Sequence, residues 1–227
     1  MTTPPLLLTP VEARVLAVLI EKRLTVPDTY PLTLNALVAG CNQKSSRDPV
    51  MTLSESQVQD ALDRLKRLSL AIESSGSRVM RYSENMKRVL CIPNESVALL
   101  AVLMLRGPQT AAELRANAER LQRFSDASAM DGFLRELAQW PAGALVAELP
   151  RQPGARENRW MHLLSGPPPA AEAAAQSESP SGASGSEPAK RDLHSALDAL
   201  QQRVAALESE VAALRAQLQP RDGRTVD

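Results

Sequence analysis

Two cysteines, Cys41 and Cys91, and two histidines, His162 and His194, are the side chains of this 227-residue chain that could announce metal or nucleophile chemistry by their spacing. They do not. Neither C-x-x-C nor H-x-x-x-H occurs, so no ligand set for a tetrahedral metal forms locally. There is no glycine-rich phosphate loop and no G-x-S-x-G elbow. His162 follows Trp160 and Met161, a setting that suits a packed strand residue better than a base. One isolated cysteine pair makes no disulfide framework, so the thiols read as inert and half-buried, in a reducing compartment. No catalysis, metal or cofactor is expected. What remains is charge, and charge binds.

The formal net charge is zero, 26 basic against 26 acidic residues, so the basic balance of many nucleic-acid-binding proteins is missing. Its distribution is uneven: up to Arg88, twelve basic residues stand against nine acidic. The candidate phosphate contacts are Lys44 and Arg47 ahead of a helix, Arg64 and Arg67 on it, and Arg78 and Arg81 on or beside the hairpin that follows. A later hairpin adds Arg151, Arg156 and Arg159. On a wheel of 100° per residue, Asp60, Asp63, Arg64 and Arg67 share one face. Asp60 precedes Arg64 by four residues and Asp63 precedes Arg67 by four, the spacing of intrahelical ion pairs. Carboxylates there would repel DNA phosphates, so a solvated, salt-bridged face stands beside the reading as a phosphate-contacting rim. The corresponding later helix sets Asp126, Asp131 and Glu136 against Arg135 and is a poor DNA reader. With 2 Trp, 2 Tyr and 2 Phe, stacking on single strands is not its main business.

The elements that position these groups come in one order, used twice. Thr9-Pro10 opens a first helix with Val11, Val15, Leu16, Val18, Leu19 and Ile20 on its buried face. A short helix runs from Thr33 to Ala39, with Gly40 as its stop. After the loop Cys41–Val50, Ser54 caps a third helix to about Leu68, with Gln57 completing a capping box. Residues 71–73 and 79–82 read as strands joined by a turn. Then the order returns: a helix from Asn94 or Ser96 to Leu105, a second capped by Thr110 with Glu113, a third capped by Ser125 or Asp126, and strands at 145–149 and 160–164. Helix, helix, helix, hairpin is the winged-helix plan, here in tandem.

The C-terminal third changes character. Residues 166–190 are rich in Pro, Ser, Gly and Ala and read as a disordered linker. Beyond it Leu193, Leu197, Leu200, Val204, Leu207, Val211, Leu214 and Leu218 alternate in steps of four and three, a heptad seam. Arg203 would face Glu208 of a parallel partner, and Glu210 would face Arg215. The seam predicts a homodimer through a C-terminal coil; a single helix packed on its own chain is the other reading. No apolar run approaches the ~20 residues of a membrane span, and Met1–Leu8 has no basic n-region. The expected setting is cytoplasmic, without membrane contact.

Three stretches carry a family likeness. Thr9-Pro-Val-Glu-Ala-Arg-Val15, Cys41-Asn-Gln-Lys-Ser-Ser-Arg-Asp-Pro-Val50 and the run from Leu149 to Leu163 resemble the YceH family of bacterial proteins, and residues 76–79 and 123–126 fit it too. The likeness spans roughly residues 9–166. It implies two tandem winged-helix domains and brings no catalytic or ligand residue with it.

The sequence thus predicts a mainly α fold with small β-hairpins: two tandem winged-helix domains and a coiled-coil helix. The divisions are 1–8 disordered, 9–90 first domain, 91–165 second domain, 166–190 linker, 191–219 coil and 220–227 disordered. The functional expectation is a non-catalytic macromolecule-binding protein. DNA is one partner class, and a protein held by an interaction scaffold is the alternative.

Overall fold

The computed structural model describes residues 6–75, 79–152 and 154–166, all within one compact unit spanning Met1–Glu178. The heptad seam from Leu193 to Leu218, the linker beyond Gly166, Arg78 and the termini at 1–5 and 220–227 lie outside the described residues.

The chain is mainly helical with small antiparallel sheets. In the first half come α1 (Pro10–Thr25), α2 (Leu34–Cys41), α3 (Glu55–Arg67), β1 (Ala71–Ser74) and β2 (Arg81–Glu84). A short α4 (Met86–Leu90) leads to the second half. There follow α5 (Asn94–Arg106), β3 (Gln109–Thr110), α6 (Ala111–Ala118), α7 (Ala127–Ala138), β4 (Val146–Leu149) and β5 (Arg159–His162). The helix starts are fixed by side chains, as the sequence says they should be. Thr9, Ser54 and Thr110 each close a reciprocal capping box, with Glu12, Gln57 and Glu113. Asp126 caps α7 by accepting from the Ala129 N–H at 2.7 Å. Each box satisfies donors at a helix start that would otherwise be unpaired.

The sheets are alike in plan. β1 pairs antiparallel with β2, Ile72 opposite Ser83 and Ser74 opposite Arg81. Leu32, ahead of α2, bridges to Tyr82 on the other edge of β2. In the second half the third strand is explicit, and the order is β3-β5-β4. β3 was not expected; two residues are too few for an alternation to show.

Two sequence expectations need correction. Gly40 does not stop α2; the helix runs on to Cys41 and ends at Asn42. A Cβ on Gly40 would meet Val18 Cγ1 at 2.6 Å, so the glycine serves the close crossing of α2 on α1. The second strand of the first hairpin begins at Arg81, not Val79. Val79 and Met80 stand exposed in the approach to it.

The core explains the two most apolar helices. In α1 every residue from Glu12 to Ile20 is buried, and in α5 every residue from Ser96 to Leu105. A helix buried all round has neighbours on every side. α1 packs on α2 and α3 of its own half and, most extensively, on α5. α5 in turn carries α6, α7 and β5. One apolar cluster therefore runs from Leu16 and Leu62 through Leu99 and Leu103 to Leu134 and Trp160. The chain is tied across the halves as well. The Asp48 N–H donates to the Leu105 carbonyl at 2.8 Å and the Leu8 N–H to the Leu164 carbonyl at 2.6 Å.

Candidate functional site

The loop from Cys41 to Val50 is a polar motif, and the chemistry of its arginine turns inward. Arg47, expected to reach for phosphates, is buried. Its Nη1 and Nη2 donate to the two carboxylate oxygens of Glu21 on α1, at 3.1 and 2.6 Å. Its Nε and Nη2 donate to the Gly40 carbonyl at 3.2 and 3.0 Å, and Nη2 also reaches Gln43 Oε1 at 2.8 Å. Nη1 completes the set on the Ser46 carbonyl at 2.9 Å. A guanidinium is a planar fork of five donors, and here the fork caps the end of α2 and fastens it to α1. Arg47 is therefore a structural arginine and has no donor to offer a nucleic acid.

A second arginine does the same from below. Arg14 sits in the middle of apolar α1, only 1% exposed. It donates from Nη1 to the Cys41 carbonyl at 3.3 Å and from Nη2 to the Pro49 carbonyl at 2.7 Å. Burial and, next, the nearby Arg47 charge lower its pKa. Asn42 closes the loop reciprocally: its Nδ2 donates to the Leu53 carbonyl at 2.9 Å, and the Leu53 N–H donates to its Oδ1 at 2.7 Å. Sequence reasoning missed Arg14, Glu21 and Asn42. The signal for Arg14 was there, a lone cation inside the run Val11–Ile20, because a cation is rarely buried without partners.

The charges of α3 are also differently used. Arg64 pairs with Glu12 of α1 (3.5 Å) and not with Asp60. Asp63 pairs with Lys66 at 2.9 Å and not with Arg67, and Lys66 also bonds Glu73 of β1 at 2.5 Å. Glu73 and Asp63 raise the Lys66 pKa, and Lys66 holds Asp63 below its usual range. The third-helix face is thus stapled to α1 and β1. Arg81 donates to the Pro31 carbonyl at 2.8 Å. Lys44 and Arg67 are exposed.

In the second half Arg151 and Arg156 are exposed in the hairpin tip, whereas Arg159 donates to the Pro108 carbonyl. Asp131 and Arg135 form an ion pair on α7 at 2.8 Å. Of the candidate cations among the described residues, five are exposed: Lys44 in the loop, Arg64 and Arg67 on α3, and Arg151 and Arg156 in the hairpin tip. His162 stands on β5, where burial pushes its imidazole down to about 4, and its Nδ1 has no hydrogen-bond partner. Cys41 is buried and its thiol is pushed up to about 12 by that burial; Cys91 is exposed, not half-buried as expected. Among the described residues no three His, Cys, Asp or Glu side chains gather as a metal site, and no helix is long and apolar enough to cross a membrane.

Residues 8–155 match the model of a family described as a protein of unknown function, DUF480. The chain belongs to that family. A UPF0502 protein of Leptothrix cholodnii is 65% identical over 159 residues, 70% of this chain and 71% of its own length. UPF0502 proteins of Cupriavidus necator and Dechloromonas aromatica are each 55% identical. Those matches cover 93% and 96% of this chain and 87% and 96% of the relatives. The assignment agrees with the YceH likeness seen in the 41–50 loop and the 149–163 stretch. DUF480 proteins thus carry, in this chain, a motif whose arginine is spent on architecture.

Proposed function

We propose that this chain is a non-catalytic, cytoplasmic binding protein whose two winged-helix units are fused by α1 and α5 into one rigid platform, and that its partner is another protein. One observation carries the choice of partner. The first hairpin, the wing of that plan, presents apolar side chains: Ile72 is 44% exposed, Val79 53% and Met80 40%. A wing that follows a phosphate backbone needs cations and donors, whereas neighbouring exposed apolar groups fit a protein surface. The internal use of Arg47 and Arg81 supports the same reading.

Duplex DNA is the second reading, and exposed Arg151 and Arg156 favour it. The C-terminal heptads would pair two chains and so double the contacts each dimer offers. The experiment is retrieval of partners by the intact protein from its own cells, with and without nuclease, beside Ile72→Asp and Met80→Asp variants. A nuclease-resistant partner lost in both variants is the expected result. Duplex binding by fluorescence anisotropy that is firm near ~50 mM salt and collapses by ~200 mM, and that Arg151→Glu abolishes, would replace this reading by the DNA one. Sedimentation of the full chain against one ending at Gly166 tests the dimer, since equal monomeric masses would remove it.

A further inference from the structure

We propose that the cleft between α1, the 43–46 loop, α5 and the turn after α6 binds the phosphate group of a small soluble ligand. The inference does not rest on the partner reading above. The cleft holds about 280 Å³ and is lined by Glu21 and Lys22 of α1, Ser46 of the loop, Arg106 of α5, and Arg120. That volume falls just short of the usual range for small-molecule sites, roughly 300–1,000 Å³, so it takes only a small body.

Its charge is lopsided. Glu21 is the single acid in the lining, and Arg47 already covers both its oxygens from behind. Counting Arg47, Lys22, Arg106 and Arg120 against Glu21 leaves a net of three positive charges (four cations less one carboxylate). Two of the three lining cations are only partly committed. Lys22 Nζ has long contacts, 3.5 Å to Gln43 Oε1 and 3.5 Å to Glu21 Oε2, and its side chain is just 19% exposed. Arg120 makes no ion pair or hydrogen bond among the described residues. Arg106 donates from Nη2 to Ser46 Oγ at 2.7 Å. The cleft therefore carries an excess of positive charge, which an oxyanion would neutralise while accepting charge-assisted hydrogen bonds.

The loop is set to serve this. Ser46 has φ 59°, left-handed for a residue other than glycine, which is the kind of local strain that persists where the surroundings enforce it. The enforcing contacts are Arg47 on one side and Arg106 on the other. The hydroxyls of Ser45 and Ser46 and the Asn117 amide add neutral polar groups, and Val102, Leu105 and Leu121 form an apolar wall for an organic body. Residues from both halves line the cleft, so a bound ligand bridges them.

The test titrates the ¹⁵N-labelled full chain by NMR with inorganic phosphate and, separately, adenosine monophosphate, at ionic strength fixed with sodium chloride. Saturable amide shifts confined to Gln43–Arg47, Arg106–Gly107 and Asn117–Leu121 are expected. Tighter binding of the monophosphate assigns the site to phosphomonoesters, and equal binding assigns it to free phosphate. Lys22→Gln, Arg106→Gln and Arg120→Gln should each weaken binding roughly tenfold or more, the loss of one charge-assisted hydrogen bond. Arg151→Gln should leave it unchanged. Arg120→Gln removes no hydrogen bond or ion pair among the described residues, so its effect reads the site more directly than the other two. No saturation by about 10 mM of either probe, shifts scattered over the surface, or full affinity in Arg120→Gln would overturn the proposal.

Discussion

Replacing Arg47 by methionine separates a structural arginine from a phosphate contact. The methionine keeps most of the apolar stem and deletes the fork. Glu21, whose side chain is 13% exposed, is then left with Lys22 at 3.5 Å as its remaining cation, and the Gly40 carbonyl at the end of α2 loses its donors. Removing one partner of a buried pair costs about 3–5 kcal/mol. Two responses offset part of this: Lys22 can swing onto Glu21, and Arg14 is freed of the Arg47 charge that lowers its pKa. The expected net loss is therefore at the low end, about 3 kcal/mol. For a unit of this size that is a fall of about 6–12 °C in melting temperature. Urea denaturation of the full chain, read as a shift of midpoint at constant slope, measures it. Arg47→Lys should lose most of the same stability, because an ammonium cannot bond both Glu21 oxygens and the Gly40 carbonyl in one plane. Glu21→Leu combined with Arg47→Met should regain a good part of it, since no lone charge is left buried. A change within about 0.5 kcal/mol for Arg47→Met, the range of surface substitutions, would refute the buried-fork account and return Arg47 to the surface.

Three further outcomes follow from buried groups and from the shared core. The folded pKa of His162, about 4, lies below the unfolded value of about 6.5, so the unfolded chain takes up the proton first; stability should be whole above pH ~6.5 and fall by up to about 3 kcal/mol as pH drops toward 4. His162→Phe should flatten that part of the curve of urea midpoint against pH, and identical slopes would discard the imidazole as its cause. Thiol alkylation near pH ~8 should modify one residue per folded chain, since Cys91 is exposed and Cys41 is buried with its pKa near 12; thiolate is the reactive form, so Cys91→Ser should abolish labelling and Cys41→Ser should not. Cutting the chain between Leu90 and Cys91 should leave neither piece with a cooperative thermal transition, because Leu99, Leu100 and Leu103 of α5 share a core with α1; a sharp transition in the 1–90 piece would show that its half stands alone.

Local rules recovered what local chemistry decides. The caps at Thr9, Ser54, Thr110 and Asp126 were legible because a side chain three residues from its target is a short-range fact. The hairpins were legible from their alternation, to within two residues. What escaped was set by distant neighbours. Gly40 looks like a helix stop and is a contact with Val18, 22 residues earlier. The apolar faces of α1 and α5 were read as one-sided, since a wheel shows how wide a face is and not how many neighbours meet it. The five-residue α4 is too short for a period to register. The candidate cations were picked by type and position, and burial cannot be read from type: Arg47 and Lys44 stand three residues apart in one loop, one buried and one exposed.

The 41–50 loop has two sides, and this resolves the apparent waste of so polar a motif on structure. Its inner side holds the Arg47 fork and receives Arg14 through the Cys41 and Pro49 carbonyls. Its outer side presents Gln43, Ser45 and Ser46 to the cleft that both halves line. The second cannot exist without the first. An exposed ten-residue loop left to itself samples many conformations, and fixing each residue costs about 1–2 kcal/mol of backbone entropy. Two buried guanidiniums, bonding three loop carbonyls (Cys41, Ser46 and Pro49), the Gly40 carbonyl of α2 and the Gln43 side chain between them, offset that cost and leave the outer groups pointing one way. Arg106 then joins Ser46 to α5, so the position of the second half is read out at the same loop that α1 holds. A ligand or partner meeting that outer side would find a surface whose shape depends on α1 and α5 staying packed, which ties whatever this face recognises to the integrity of the whole 6–166 unit.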